Sequence, residues 1–309
     1  MGLEGTFKGC LSIENKMFIR QTLGIDIDGD LFDPRLDYVT KRIFTAETPE
    51  SKQALISFLN AALCLPKRQR IIDLSVISPV IPVDNKKKKK PIFDIRVRFA
   101  NGEQAIIEME FYKKDDFKRR SQFIISRAYS SQDISGKSFA ELKKCYLICI
   151  MNYSVFEDDT EYYRNIMFRD EHGTPLTDDE NIIFLELSKI DHLIEKPVDA
   201  LTDIEMWMIF FRFATDKNKR ELINKILIKE EGINMAVQIL EKMSLSEEER
   251  AYYEAELIQG LDERTTQRAL ENERKSVARE IARNFKLNSV PLTTIAKSTG
   301  LPLEEVQSL

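Results

Sequence analysis

IFDIRVRFANGEQAIIEMEFY, residues 92–112, is the stretch whose reading decides the fold. Over 92–99 the side chains alternate. Phe93, Ile95, Val97 and Phe99 share one face of a strand, and Ile92, Asp94, Arg96 and Arg98 share the other. Ala100-Asn101-Gly102 is a turn, in which Asn-Gly can supply left-handed residues. The return strand spans 104–112, with Glu108 and Glu110 two apart and therefore on one face. If the loop holds an odd number of residues, Asp94 stands almost opposite Glu108, with Cβ atoms about 5 Å apart. Ile neighbours on both strands suggest a sheet covered on both sides.

Outward from this hairpin the chain alternates helix and strand. A helix is expected from Leu36, with Val39, Ile43 and Phe44 on one face. A second starts at Pro49, with Thr48 as N-cap and a stripe of Leu55, Phe58, Leu59, Ala62 and Leu63. Residues 71–83 are Ile/Val-rich and read as a strand. A helix from Asp116 to Ile134 is expected after the hairpin, then two central strands over 145–156 and 181–190. The order predicts an α/β or α+β fold, a mixed sheet flanked by helices. Residues 1–30 read as an extension and 31–195 as the sheet domain. An all-helical region is expected over 196–309, including a charged helix over 246–285 and a short closing helical hairpin.

Like charges as close as Asp94 and Glu108 repel, so a fold that keeps them needs compensation. A divalent cation is the natural one: Mg²⁺ takes a few carboxylates plus waters, lowers the pKa of a bound water and neutralises charge on a phosphate. Taken alone, the pattern equally fits acidic residues on the solvent face of a hairpin. The flanking basic residues argue for the phosphate reading: Lys86–Lys90, centred on Lys88, precedes the hairpin, and Lys113, Lys114, Lys118, Arg119 and Arg120 follow it. A five-lysine run is also compatible with a solvated loop.

Composition narrows the rest. The 309 residues are 43% hydrophobic and 31% charged, enough for a sizeable core, and the net charge of −5 argues against a general nucleic-acid coat protein. Four cysteines without a CxxC pair and two histidines leave little for a zinc site. Reduced thiols, no span of roughly 18 apolar residues and no basic end followed by an apolar core at the N-terminus together suggest a cytoplasmic protein without a membrane segment.

The order of motifs from Phe32 to Phe156 resembles the PD-(D/E)XK nuclease family labelled transposases, the Rpn recombination-promoting nucleases. The resemblance rests on Asp33-Pro34-x-x-Asp37-x-x-Thr40-Lys41-x-x-Phe44, with Thr40 where the family usually has Phe. It continues through Leu55–Asn60, Asp94-Ile95, Ile107-Glu108-Met109-Glu110, and Arg120, Phe123, Tyr129, Gln132 and Gly136. It implies a restriction-endonuclease-like core and a metal-dependent DNA endonuclease with Mg²⁺, Mn²⁺ being an alternative. Asp94, Glu108 and Glu110 would be catalytic metal ligands and Asp37 a further catalytic acid. Lys41, Lys88, Lys113, Lys114, Arg119 and Arg120 would meet DNA, and double-strand cutting would suit a homodimer. One departure stands out. Glu110 replaces the Lys of the superfamily or the Gln common in this family. It allows either a third ligand or a weak, inactive site on a DNA- or protein-binding module. TIAKSTGLPLEEV near the end resembles the start of a helix-turn-helix, but too few residues follow Pro302 for a reading helix, and a small cap or partner-binding element is expected.

Overall fold

The computed structural model describes residues 31–80, 94–136, 138–246, 249–250, 253–254, 275–287 and 290–308. The lysine run, with Lys88, lies outside them, as do the opening extension and most of the expected charged helix. Two compact units divide the chain, Met1–Glu254 and Ala255–Leu309. Helices that follow residue 195 up to Lys242 therefore lie in the same unit as the sheet.

The first unit opens on α1 (Asp37–Thr45) and α2 (Pro49–Ala62), then β1 (Leu74–Ile77), β2 (Ile95–Phe99), β3 (Gln104–Glu110), α3 (Phe117–Ser130), β4 (Cys145–Met151), β5 (Tyr163–Ile166) and β6 (Glu180–Glu186). Then follow α4 (Asp203–Phe213), α5 (Arg220–Lys229) and α6 (Glu231–Lys242). The sheet has six strands in the order β1-β2-β3-β4-β6-β5. It is mixed: β3, β4 and β6 run parallel in its centre, and β1-β2, β2-β3 and β5-β6 pair antiparallel.

The elements expected over residues 36–151 and 181–190 are present with shifted ends. Helix α3 stops at Ser130, short of Ile134, and the two central strands end at Met151, where a loop begins, and at Glu186, where a 3₁₀ turn (Leu187–Lys189) begins. Strand β5 is an addition. Its four residues, Tyr-Arg-Asn-Ile, carry too little alternation to announce a strand, and pairing with β6 makes it one. Thr48 does cap α2, its hydroxyl accepting from Ser51 N.

Both faces of the sheet are covered. All seven residues of β3 are buried. On one face Ile106, Leu147, Cys149, Met151 and Phe184 pack under Phe117, Ile124, Ile125 and Ala128 of α3. The alternate set, including Ile107, Ile148, Ile150, Ile183 and Leu185, is buried as well, and α1 lies against β2 and β3. Helices α1, α2 and α4 share an aromatic core in which Phe44, Phe58, Trp207 and Phe211 stand 5.2–6.3 Å apart by ring centroid. Each such fully buried ring contributes roughly 1.5–3 kcal/mol. Gly232 lets α6 close on α2: a Cβ there would sit 2.2 Å from Ser57 Cβ. No described helix is long and apolar enough to cross a membrane.

In the second unit a helix over 275–287 is followed by the helices Leu292–Thr299 and Leu303–Ser308, which turn at Gly300 in the left-handed region (φ 71°). Ala282, Ile295, Leu301 and Val306 form its core, and Arg279 Nε meets Glu305 Oε1 at 2.7 Å.

Candidate active site

The hairpin register sets the site. Phe99 N donates to Glu103 O (2.8 Å), leaving Ala100, Asn101 and Gly102 as a three-residue loop. Only Gly102 takes a positive φ (89°), so Asn101 is not the left-handed residue the Asn-Gly reading allowed. The odd count pairs Ile95 with Ile107. One step back, Asp94 faces Glu108. Asp94 N donates to Glu108 Oε1 (3.2 Å) and Met109 N donates to Asp94 Oδ2 (3.0 Å), which locks both carboxylates at the end of the hairpin. A slip of one residue would send the acids to the opposite face.

Three further elements converge there. Asp33, Pro34 and Arg35 brace the approach to α1: Arg35 N donates to Asp33 Oδ1 (2.9 Å), the Arg35 guanidinium is buried on the same carboxylate, and Thr40 Oγ1 donates to Pro34 O (2.5 Å). Asp37 then falls in the first turn of α1, and Lys41, one turn on, reaches both Asp37 Oδ2 (2.6 Å) and Asp94 Oδ1 (3.3 Å). From α3, Arg120 spans the two glutamates, with Nη2 on Glu108 Oε2 (2.7 Å) and Nη1 on Glu110 Oε1. Lys114 Nζ adds a contact to Glu110 Oε2 (2.5 Å).

The electrostatics follow from crowding. Glu108 is fully buried. Burial and then the charge of Asp94 push its carboxyl up to about 8, against the pull of Arg120. Burial and Asp94 likewise push Asp37 up to about 6, against Lys41. Lys41 is raised: burial works against its charge, but Asp94 and Asp37 outweigh it. The acids are thus more negative together than three cations comfortably balance.

Of the residues singled out from sequence, Asp37, Lys41, Asp94, Glu108, Glu110, Lys114 and Arg120 come together. Lys113 does not: it pairs with Glu157 on the loop after β4. Arg119 is exposed on α3. Sequence reasoning passed over Asn152 and Tyr153. The buried Asn152 gives its N–H to Glu110 O (3.0 Å), and Tyr153 OH accepts from Lys114 N (3.3 Å). Their position directly after a strand parallel to the Glu108 strand was the available signal.

All the acidic donors are carboxylate oxygens, the chemistry a hard divalent cation selects, and the raised carboxyls mark charge that such an ion would relieve. In the present arrangement Arg120, Lys114 and Lys41 hold those oxygens, and among the described residues no three His, Cys, Asp or Glu side chains stand as a ready metal cage. For a divalent ion to take these oxygens, Arg120, Lys114 and Lys41 would have to give up their contacts to them.

Compared with known proteins, the chain matches the family described as PD-(D/E)XK nuclease family transposase over residues 34–269, well over half of its length. No curated protein and no solved structure gave a match.

Proposed function

The chain belongs to the PD-(D/E)XK nuclease family transposases, and from that premise we propose that it is a metal-dependent endodeoxyribonuclease acting in recombination or mobile-element biology. Nucleases of this kind generally use divalent metal ions. The observation that carries the reading is Asp94 facing Glu108, with Glu110 next on the same face and Asp37 brought in from α1.

Asp94 and Glu108 would hold the cation, Mg²⁺ or Mn²⁺, and Glu110 would join them or orient the attacking water. When bound, the ion supplies a water of lowered pKa and neutralises charge growing on the phosphate. Glu108 would hold the cation as a carboxylate, so binding would displace the proton that burial and Asp94 favour on it. The hairpin hydrogen bonds from Asp94 N and Met109 N hold the backbone that carries the acids in place, while the cations on their oxygens would have to give way. Lys41, Lys114 and Arg120, released from the acids, would face the DNA backbone, with Arg119 and the loop lysines extending the contact.

Cleavage of supercoiled plasmid in Mg²⁺ and in Mn²⁺, alongside EDTA and Asp94→Ala controls, tests this. Nicking or linearisation lost in both controls is the expected result. Absence of cleavage by folded wild-type protein in either metal would remove the enzymatic reading. A second reading, a nuclease fold retained for binding, draws on Arg120 bridging Glu108 and Glu110, which supplies from within the charge a cation would bring. Glu110→Gln, which restores the residue usual in the family, separates the two: cleavage gained by that variant alone would identify Glu110 as the defect.

A further inference from the structure

On the same face of the sheet as the acidic site, α3 borders a second feature. Its Arg120 side reaches Glu108 and Glu110, while Lys118, Gln122 and Ile125 line a cleft of about 280 Å³ over β6 and the segment after β5. The walls are aromatic and aliphatic. Phe156 packs edge-on against Phe184 (5.3 Å, 84°), Ile182 forms the floor, and Phe168, about half exposed, stands at the open side. Lys118 Nζ and Arg164 Cζ both stand over the Phe156 ring, at 4.3 and 4.5 Å. Glu180 also lines the cleft, and its Oε1 is buried without a hydrogen-bond partner.

We propose that this cleft takes an unpaired nucleobase of the DNA strand whose phosphates cross α3 toward the acidic site, so that the preferred substrate is single-stranded or locally unpaired DNA. The proposal rests on the DNA-nuclease reading above and specifies its substrate class. Charge and shape select the occupant. A flat π-system suits Phe168, the half-exposed ring of the cleft, with Phe156 and the buried Phe184 as the apolar wall behind it, because stacking on aromatic side chains is the common means of holding single strands. Lys118, Arg164 and the exposed Arg119 suit the phosphates on either side of the base. The Glu180 carboxylate is an acceptor, and the exocyclic amino groups of adenine, cytosine and guanine are donors. A greasy ligand without anionic groups would leave Lys118 and the Glu180 carboxylate unanswered, whereas Arg164 already pairs with Asp159. Spacing agrees as well: Phe184 stands level with Glu108 two strands away, roughly 10 Å at the usual strand separation, and Glu180 lies four residues back along β6, roughly 13 Å further, together a reach of a few nucleotides. A paired duplex cannot fill the cleft without extruding a base, at a cost of a few kcal/mol by general experience with base flipping.

Binding of end-labelled DNA by the full chain, followed by fluorescence anisotropy in EDTA so that no strand is cut, tests the assignment. Three probes of equal length are compared: a mixed-sequence single strand, its duplex, and the same strand with abasic positions that keep every phosphate. The intact single strand should bind about tenfold more tightly than either of the others, the effect of losing one good base–aromatic stack. Phe168→Ser, at an exposed position, should erase that preference and leave duplex binding unchanged, and Phe156→Leu should weaken it while keeping the packing on Phe184. An abasic strand that binds as tightly as the intact one, with duplex also bound, would overturn the base cleft and leave the DNA reading standing. Failure of all three probes to bind would overturn both.

Discussion

Two buried glutamates of the same compact unit carry opposite histories. Glu108 in β3 is 0% exposed and Glu205 in α4 is 3% exposed. Burial penalises both charges, yet the Glu108 carboxyl is pushed up to about 8 and the Glu205 carboxyl is held down at about 2. The difference lies in their partners. Glu205 sits at the third position of α4 and closes a capping box: Thr202 N and Oγ1 both donate to its Oε2 (2.8 and 3.0 Å). Lys196 Nζ and Tyr162 OH donate to its Oε1, each at 2.7 Å. Glu108 has Arg120 and one backbone N–H, but it faces Asp94 and neighbours Glu110. The satisfied acid fixes a helix to the loop before it. The frustrated acid keeps a raised carboxyl even with Arg120 upon it, because Asp94 faces it and burial penalises its charge.

The sharpest way to break this contrast is to remove the residue that frustrates Glu108. Asp94→Ala should lower metal-dependent plasmid cleavage by on the order of a thousandfold or more, since several kcal/mol of charge stabilisation pass through the bound cation. Nicking rates measure it, and a variant within about tenfold of wild type would place the chemistry elsewhere.

At the other pole, Glu205→Ala leaves Thr202, Tyr162 and Lys196 without their acceptor. We expect a loss of about 2–4 kcal/mol, seen as a melting temperature lower by roughly 5–10 °C, with DNA cleavage unchanged below the transition. Its pH dependence has a definite sign. A carboxyl held below its unfolded value stabilises above about pH 4.5, and that stabilisation is lost as pH falls through about 2. Wild type and Glu205→Gln should therefore converge in stability as the solution is acidified.

Glu108→Gln should do the reverse. A carboxyl whose folded value lies above its unfolded one costs stability as pH rises from about 4.5 toward 8. In EDTA the variant should melt above wild type at pH 7, the gap widening toward pH 8 and closing near pH 5, while cleavage is lost. A variant that melts lower at every pH would mean that the Arg120 contact outweighs the repulsion. The smallest effect belongs to Lys196→Met. The Lys196 side chain is 41% exposed, so its pair with Glu205 is screened and its loss should cost roughly 0.5–1 kcal/mol in a denaturant titration.

Much of this was legible in the chain. The alternation around Asp94 and the i, i+2 spacing of Glu108 and Glu110 are local geometry, whereas their meeting on one face hung on an odd loop count, which the Phe99–Glu103 closure supplies. Lys113 and Lys114 are adjacent and alike in sequence, yet one pairs with Glu157 and the other with Glu110. That choice depends on where the loop after β4 lies, and no local pattern carries it. The Glu205 cap did have a signal, Thr202-x-x-Glu205 ahead of an apolar run, but nothing local announced Tyr162 and Lys196 as its other partners.

By itself, then, the sequence determined the hairpin, its acidic face, the flanking helices and the family, all properties of periodicity and of ordered short motifs. The tertiary structure alone decided which charges balance that face, since Asp37 and Lys41 come from α1 and Arg120 from α3, and only packing brings these elements to the end of the hairpin. It alone decided that two inward-facing glutamates differ in charge, because depth of burial and partners such as Arg120, Tyr162 and Lys196 are set by packing.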